Sequence, residues 1–258
     1  MTDAFTSPLI LQELPEPVAA RRNIRLLLLR DDLTQPALPG NKWRKLKYNL
    51  REARHLGHNT LLTFGGAYSN HLAAVAAAGP LHGFRTVGVV RGEPTLPLNP
   101  TLAGAQAHGM QLHYLDRATY RRKTEPEVLA ELLREVGPAY VIPEGGSNAL
   151  ALPGCAELVT ELTQQTDFDY LCVACGTGGT LAGLLTGLAG TRQAIGVAAL
   201  KKRRFSACGY RCADACGHWC HLYQLEAAHQ LPPGRLRGLL YRADRIYPAV
   251  SSAARGSA

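Results

Sequence analysis

Two lysines three residues apart stand in the segment Pro39-Gly40-Asn41-Lys42-Trp43-Arg44-Lys45-Leu46. On a helix Lys42 and Lys45 share a face, where like charges repel. One reason to tolerate that is a lysine whose pKa must be lowered, as for a Schiff base with a carbonyl compound. The competing reading is a solvated basic helix start, although positive charge there opposes the helix dipole. A second motif, Gly176-Thr177-Gly178-Gly179-Thr180, follows one apolar run and opens another. Free N–H groups at a helix start, glycines that allow close approach and two threonine hydroxyls make an anion site. No lysine follows, so this is not a Walker loop, and the glycine spacing is not the dinucleotide fingerprint. A phosphate monoester fits better than a nucleotide; the other reading is a plain glycine turn with threonine as cap. The third motif is Gly65-Gly66-Ala67-Tyr68-Ser69-Asn70-His71. Ser69 and Asn70 either face a ligand or begin a helix that Ser69 caps.

These motifs need strands to end at them and helices to start from them. Apolar runs at 24–29, 60–64, 86–90, 111–115, 139–142, 169–175 and 194–200 read as strands. Segments 43–56, 69–78, 99–109, 127–136, 149–165 and 180–188 read as helices, with 69–78 stopped by Gly79-Pro80. Strands separated by such helices indicate parallel sheets covered on both faces, with functional loops at the strands' C-terminal ends. The expectation is a two-lobed α/β fold: a catalytic region over 10–200, with 46–138 as the smaller lobe and 10–45 plus 139–200 as part of the larger.

Composition separates the last segment from the rest. Residues 1–200 hold 18 Lys+Arg against 17 Asp+Glu, whereas residues 201–258 hold 10 against 3. The overall charge of +8 is therefore a property of the tail. No aromatic interleaving accompanies it, so no nucleic-acid partner is expected. No apolar run has the length of a membrane helix and the N-terminus has no basic, apolar leader, so a cytoplasmic protein is expected. Cys172 and Cys175 lie in an apolar strand, where residues three apart point to opposite faces, so buried inert thiols are expected. Cys208, Cys212, Cys216 and Cys220 repeat every four residues, which does not match the paired spacing of structural zinc sites, and no metal is expected.

The segments PGNKWRKLKYNL, TFGGAYSNHLAAVAA, IPEGGSN and ACGTGGTLAGLL resemble the 1-aminocyclopropane-1-carboxylate deaminase / D-cysteine desulfhydrase family. That family belongs to the pyridoxal 5'-phosphate enzymes of tryptophan-synthase-β-like fold, fold type II. The resemblance covers about residues 10–200. It implies that Lys42 is the lysine that binds the cofactor covalently and that Lys45 is the second lysine beside it. It implies that Ser69 is a nucleophilic or acid–base serine and that Asn70 hydrogen-bonds the cofactor's 3′ oxygen. Thr177, Gly178, Gly179 and Thr180 match the phosphate cup. The implied activity is a deaminase or carbon–sulfur lyase acting on a small amino acid to give a 2-oxo acid and ammonia, in a homodimer if the fold is complete.

Beyond Leu200 the resemblance stops. The family's later strands, its tyrosine-bearing segment and its acidic partner for the pyridine nitrogen have no match. The tail is read as divergent or frameshifted, packing poorly against the body. Tyr68 stands where typical deaminases of the family carry glutamine, a departure that counts against deamination of the cyclopropane amino acid. The alternative reading is a catalytically incomplete remnant that binds the cofactor without turnover.

Overall fold

The computed structural model describes residues 8–35, 38, 40–199, 221–223 and 239–242. The chain begins with β1 (Leu11–Glu13), the short α1 (Pro17–Ala20), β2 (Leu26–Leu29) and the single turn α2 (Asp31–Thr34). α3 (Lys42–His55) follows and buries Trp43, Leu46, Leu50 and Ala53 at helical spacing. The smaller lobe is β3 (Thr60–Gly65), α4 (Asn70–His82), β4 (Arg85–Arg91), α5 (Pro100–Ala107), β5 (Gln111–Leu115), α6 (Arg117–Arg121), α7 (Pro126–Val136) and β6 (Tyr140–Ile142). The chain then returns to the larger lobe with α8 (Ala151–Gln165), β7 (Tyr170–Cys175), α9 (Gly179–Leu188) and β8 (Gln193–Ala198). β9 (His221–Tyr223) and β10 (Leu239–Arg242) complete the described strands.

Two sheets result. The smaller runs β5-β4-β3-β6 and is parallel throughout. The larger runs β1-β2-β10-β7-β8-β9 and is parallel except for the β1–β2 edge. In the smaller lobe one face of the sheet packs against Leu46, Leu72, Val75 and Leu102, and the other against Tyr120, Val128 and Leu132. Leu27, Leu158, Leu162, Leu171, Val173 and Leu184 form the core of the larger lobe. All three described cysteines, Cys155, Cys172 and Cys175, are buried and free. Burial pushes the Cys172 thiol up to about 12, which keeps it protonated and unreactive at neutral pH.

Both sheets reverse strand order at a switch point, and crevices open outside the carboxyl ends of such strands. From β3 the smaller sheet grows through β4 to β5 on one side, while β6 is placed on the other. The crevice therefore lies between the loop after β3 and the turn after β6. In the larger sheet β7 has β8 on one side and β10 on the other. The loop after β7 opens α9 at that point. α8 spaces α3 from α9. A side chain at Gly154 on α8 would meet the Arg44 carbonyl at 2.0 Å, so the α3–α8 crossing requires glycine there.

Three expectations are corrected, and some short elements were not foreseen. α4 does not stop at Gly79-Pro80 but runs through Pro80 to His82 and ends at Gly83, which is left-handed at φ 69°. Proline disfavours helix in the preceding residue chiefly through that residue's Cβ, which Gly79 lacks. Tyr140–Ile142 pairs with β3 and so belongs to the smaller sheet, not the larger lobe. β1 and the short helices α1, α2 and α6 are too brief to show a period. Finally, two tail segments do join the body: β9 pairs with β8, and β10 fills the space between β2 and β7. The rest of the tail, including Cys208, Cys212, Cys216 and Cys220, lies outside the described residues. So does any partner for a pyridine nitrogen drawn from it.

Candidate active site

Lys42 is the first residue of α3 and is half-buried. Its ammonium donates to Asn41 Oδ1 at 2.8 Å. The same Asn41 amide donates from Nδ2 to Thr180 Oγ1 at 2.5 Å, in a buried contact. One side chain thus ties the start of α3 to the start of α9. Lys45 lies one turn further along α3 and is only 1% exposed. Its Nζ donates to the Gly145 carbonyl at 2.5 Å and to Ser147 Oγ at 2.9 Å. Ser147 Oγ in turn lies 2.7 Å from Thr177 Oγ1. Two hydrogen-bonded chains thus link α3 to the glycine-rich loop: Lys42 through Asn41 to Thr180, and Lys45 through Ser147 to Thr177.

The glycine-rich loop behaves as an anion cradle. Gly178 precedes α9 in the left-handed region at φ 85°, which no β-branched residue adopts cheaply, and no side chain caps the helix. The first-turn N–H groups of α9 are thus left without an intrahelical acceptor. A Cβ at Gly179 would lie 2.9 Å from Ser147 Oγ and 3.0 Å from Lys45 Nζ. The absence of a side chain there is what lets the Lys45 ammonium reach the helix start. Two positive ends converge: a buried ammonium and the N-terminus of a helix. An anion seated between them is stabilised by both.

Ser69 caps α4, its Oγ accepting from Leu72 N at 3.3 Å. The capping reading therefore holds. An oxygen that accepts from N–H still keeps its own proton for donation. Asn70 is exposed at the first position of α4. Tyr68, just before, is 76% exposed. Sequence reasoning did not single out Asn41, Ser147 or His71. Asn41 and Ser147 stood inside quoted motifs, but their partners are distant in sequence. His71 is fully buried and placed against Thr63, whose Oγ1 lies 2.8 Å from Nε2.

The start of α3 is held by charge. Arg44 is fully buried, its Nε 3.2 Å from Asp31 Oδ1, and it forms a two-pronged pair with Glu161 at 3.2 and 3.0 Å. Its guanidinium also stacks on Trp43, 4.5 Å from the ring centroid. These contacts fix the first turn of α3 against α2 and α8, and with it the direction of both lysines. Among the described residues no cluster of His, Cys, Asp and Glu could hold a metal ion. No helix among them is long and apolar enough to cross a membrane.

Two parallel-sheet lobes meet at a lysine pair and an uncapped glycine-rich helix start, the α/β architecture and the donor set suited to a phosphate-bearing group. The family described as "Pyridoxal-phosphate dependent enzyme" matches residues 7–218, and the chain belongs to it. A relative from Pyrococcus horikoshii, "Putative 1-aminocyclopropane-1-carboxylate deaminase", is 36% identical over 62% of this chain and 50% of its own length. "Bifunctional D-cysteine desulfhydrase/1-aminocyclopropane-1-carboxylate deaminase, mitochondrial" of Arabidopsis thaliana is 33% identical over 71% and 48%. The crystal structure of an ACC deaminase homologue superposes with a TM-score of 0.65 at 31% identity, covering 75% of this chain and 61% of that one. The chain spans about half the length of the curated relatives it matches. The fold is that of the fold type II pyridoxal-phosphate enzymes, and the family's cofactor is pyridoxal phosphate.

The residues fit that cofactor. The cradle at Gly179 is a space that a Cβ would fill, and it is bounded by an ammonium and helix N–H groups suited to a phosphate. Lys42, a half-buried amine tied through Asn41 to Thr180 at the start of α9, would be the amine for the cofactor's carbonyl carbon.

Proposed function

We propose that the chain is a pyridoxal-phosphate-dependent deaminase or carbon–sulfur lyase of a small amino acid, of the D-cysteine desulfhydrase or 1-aminocyclopropane-1-carboxylate deaminase kind. The observation that carries this reading is the buried Lys45 ammonium set against the uncapped start of α9. In this reading Thr177, Gly178, Gly179 and Thr180 hold the phosphate through N–H groups and hydroxyls, and Lys45 neutralises part of its charge. Lys42 binds the cofactor's carbonyl carbon. Asn41, which accepts from its amine, orients Lys42 toward that bond.

When bound, the cofactor supplies an electron sink for charge developing on the amino acid's α-carbon. The protein's part is to orient and to move protons. The N–H groups of Asn70 and His71 precede the first intrahelical bond of α4, from Ala73 N to Ser69 O, and are placed to receive a carboxylate. Asn70 takes the cofactor's 3′ oxygen. Ser69, whose proton is free of the cap, donates or attacks, and Lys42 carries a proton once released from its bond. Loss of sulfide from D-cysteine followed by hydrolysis with one water gives pyruvate, ammonia and hydrogen sulfide; ring opening of the cyclopropane amino acid followed by hydrolysis with one water gives 2-oxobutyrate and ammonia. Tyr68, in place of the glutamine of typical deaminases, counts against the second of these.

The test is to titrate the purified full-length chain with pyridoxal phosphate and then assay both amino acids for 2-oxo acid and ammonia. Absorbance near ~420 nm, a property of the lysine-bound cofactor, together with pyruvate from D-cysteine is the expected result. Absorbance without turnover would make the chain a cofactor-binding remnant. No absorbance at any cofactor concentration would sink the reading.

A further inference from the structure

We infer that His71 is a positioning residue: its neutral imidazole locks the start of α4 to the turn that holds Lys45. This rests on the reading of the site proposed above. The surroundings of both edges of the ring carry it. Nε2 lies 2.8 Å from Thr63 Oγ1, and the same hydroxyl lies 2.8 Å from the Ile142 carbonyl. A carbonyl only accepts, so Thr63 gives its proton to Ile142 and accepts from His71 Nε2–H. On its other edge the ring abuts the turn after β6. A Cβ at Gly146 would sit 3.0 Å from His71 Cε1 and 3.5 Å from Nδ1. The same Cβ would be 3.7 Å from Lys45 Cβ.

The ring therefore spans the switch point of the smaller sheet. It joins α4, which carries Ser69 and Asn70, to the end of β3, the end of β6 and the Gly145–Ser147 turn. That turn supplies two acceptors of the Lys45 ammonium, the Gly145 carbonyl and Ser147 Oγ.

Filling space does not account for histidine here. Nδ1 is buried without a hydrogen-bond partner, and an unpaired buried polar atom costs stability. A leucine would fill much of the same volume without that cost, but it could not donate to Thr63. The tautomer with the proton on Nε2 is the one the Thr63–Ile142 relay requires. Burial, together with the positive charges of Lys42 and Lys45, drives the ring pKa well below its usual range; the Pro143 carbonyl, which can accept only from a second ring N–H, favours the protonated ring and offsets this only in part. The donor thus stays neutral.

Long-range proton–nitrogen NMR on the ¹⁵N-labelled full-length chain reads the tautomer directly and needs no activity. His71 should be protonated on Nε2 and should not titrate between about pH 6 and 8. An Nδ1–H tautomer, or a titration in that window, overturns the inference whatever the enzyme does. The second arm compares the cofactor dissociation constant of His71→Leu and His71→Gln with the parent, read from the lysine-bound absorbance. Gln places its amide N–H near the position of Nε2. His71→Leu should bind the cofactor roughly five- to tenfold more weakly, and His71→Gln should recover to within about twofold. A purely structural role would lower the melting temperature of His71→Leu and leave the affinity of its folded fraction unchanged. That result, or no recovery in His71→Gln, would count against positioning. If the parent chain itself binds no cofactor, the proposed function fails, while the NMR arm still decides the His71 relay.

Discussion

Asn41 and Thr180, 139 residues apart in the sequence, share a buried hydrogen bond of 2.5 Å from Nδ2 to Oγ1. Since Asn41 Oδ1 also accepts from the Lys42 ammonium, one amide sets the distance between that amine and the start of α9. Asn41→Ala removes both bonds. The expected loss is about 1–2 kcal/mol of folding stability and roughly tenfold in cofactor affinity. Urea unfolding and absorbance titration measure the two effects. An unchanged affinity would show that the bridge does not position the cofactor.

Lys42 and Lys45 should separate cleanly by variant. Only a primary amine forms the covalent bond, so Lys42→Ala should lose the absorbance near ~420 nm and all turnover. Lys45→Ala should keep the absorbance at saturating cofactor but need much more of it, because an ammonium beside the phosphate is gone. The opposite pattern would reverse the assignment of the two lysines.

Gly179→Ala tests the cradle. The added methyl meets the ends of two side chains, Ser147 Oγ and Lys45 Nζ, which can move aside. Folding should therefore change by less than about 1 kcal/mol, the scale of ordinary surface changes. Cofactor affinity should fall by more than about tenfold, because the methyl occupies the anion's place. Equal affinity in the variant and the parent would remove the phosphate from this loop.

The buried pair of Arg44 and Asp31 should be essential to the fold rather than to chemistry. Asp31→Asn leaves a fully buried guanidinium with Glu161 as its remaining carboxylate among the described contacts. Removing one partner of a buried ion pair costs about 3–5 kcal/mol, with Glu161 expected to hold the loss toward the lower end. Chemical denaturation should show it, with the slope of unfolding unchanged.

His71 should make stability depend on pH. Its folded pKa is depressed by burial, then by Lys42 and Lys45. Below its unfolded value of about 6.5 the unfolded chain binds a proton that the folded chain refuses. The contribution is therefore fully present above pH ~6.5 and is lost, at up to about 1.4 kcal/mol per pH unit, as pH falls toward the folded pKa. The difference in unfolding free energy between pH 7.5 and 5.5 should shrink in His71→Gln. An equal pH slope in both proteins would rule out His71 as its source.

The linear sequence made the candidate side chains legible because each motif is local. Lys42, Lys45, Ser69, Asn70 and the 176–180 loop stand at strand or helix ends whose apolar periods are plain, and glycine at 178 and 179 signals a backbone requirement regardless of what lies nearby. Apolar periods likewise marked nearly every long element of both lobes. Partners were not legible. Asn41 meets Thr180, Lys45 meets the Gly145 carbonyl and Ser147, and Arg44 meets Asp31 and Glu161 only because two sheets reverse their strand order and bring distant loops together. The register of β6 beside β3 and of β10 between β2 and β7 was hidden for the same reason: strands of three or four residues carry too little period to be read, and pairing is decided by the neighbours they find. His71 shows the division in one residue. Sequence put a histidine after Ser69-Asn70; its burial, tautomer and grip on the Lys45 turn exist only where α4, β3 and β6 converge.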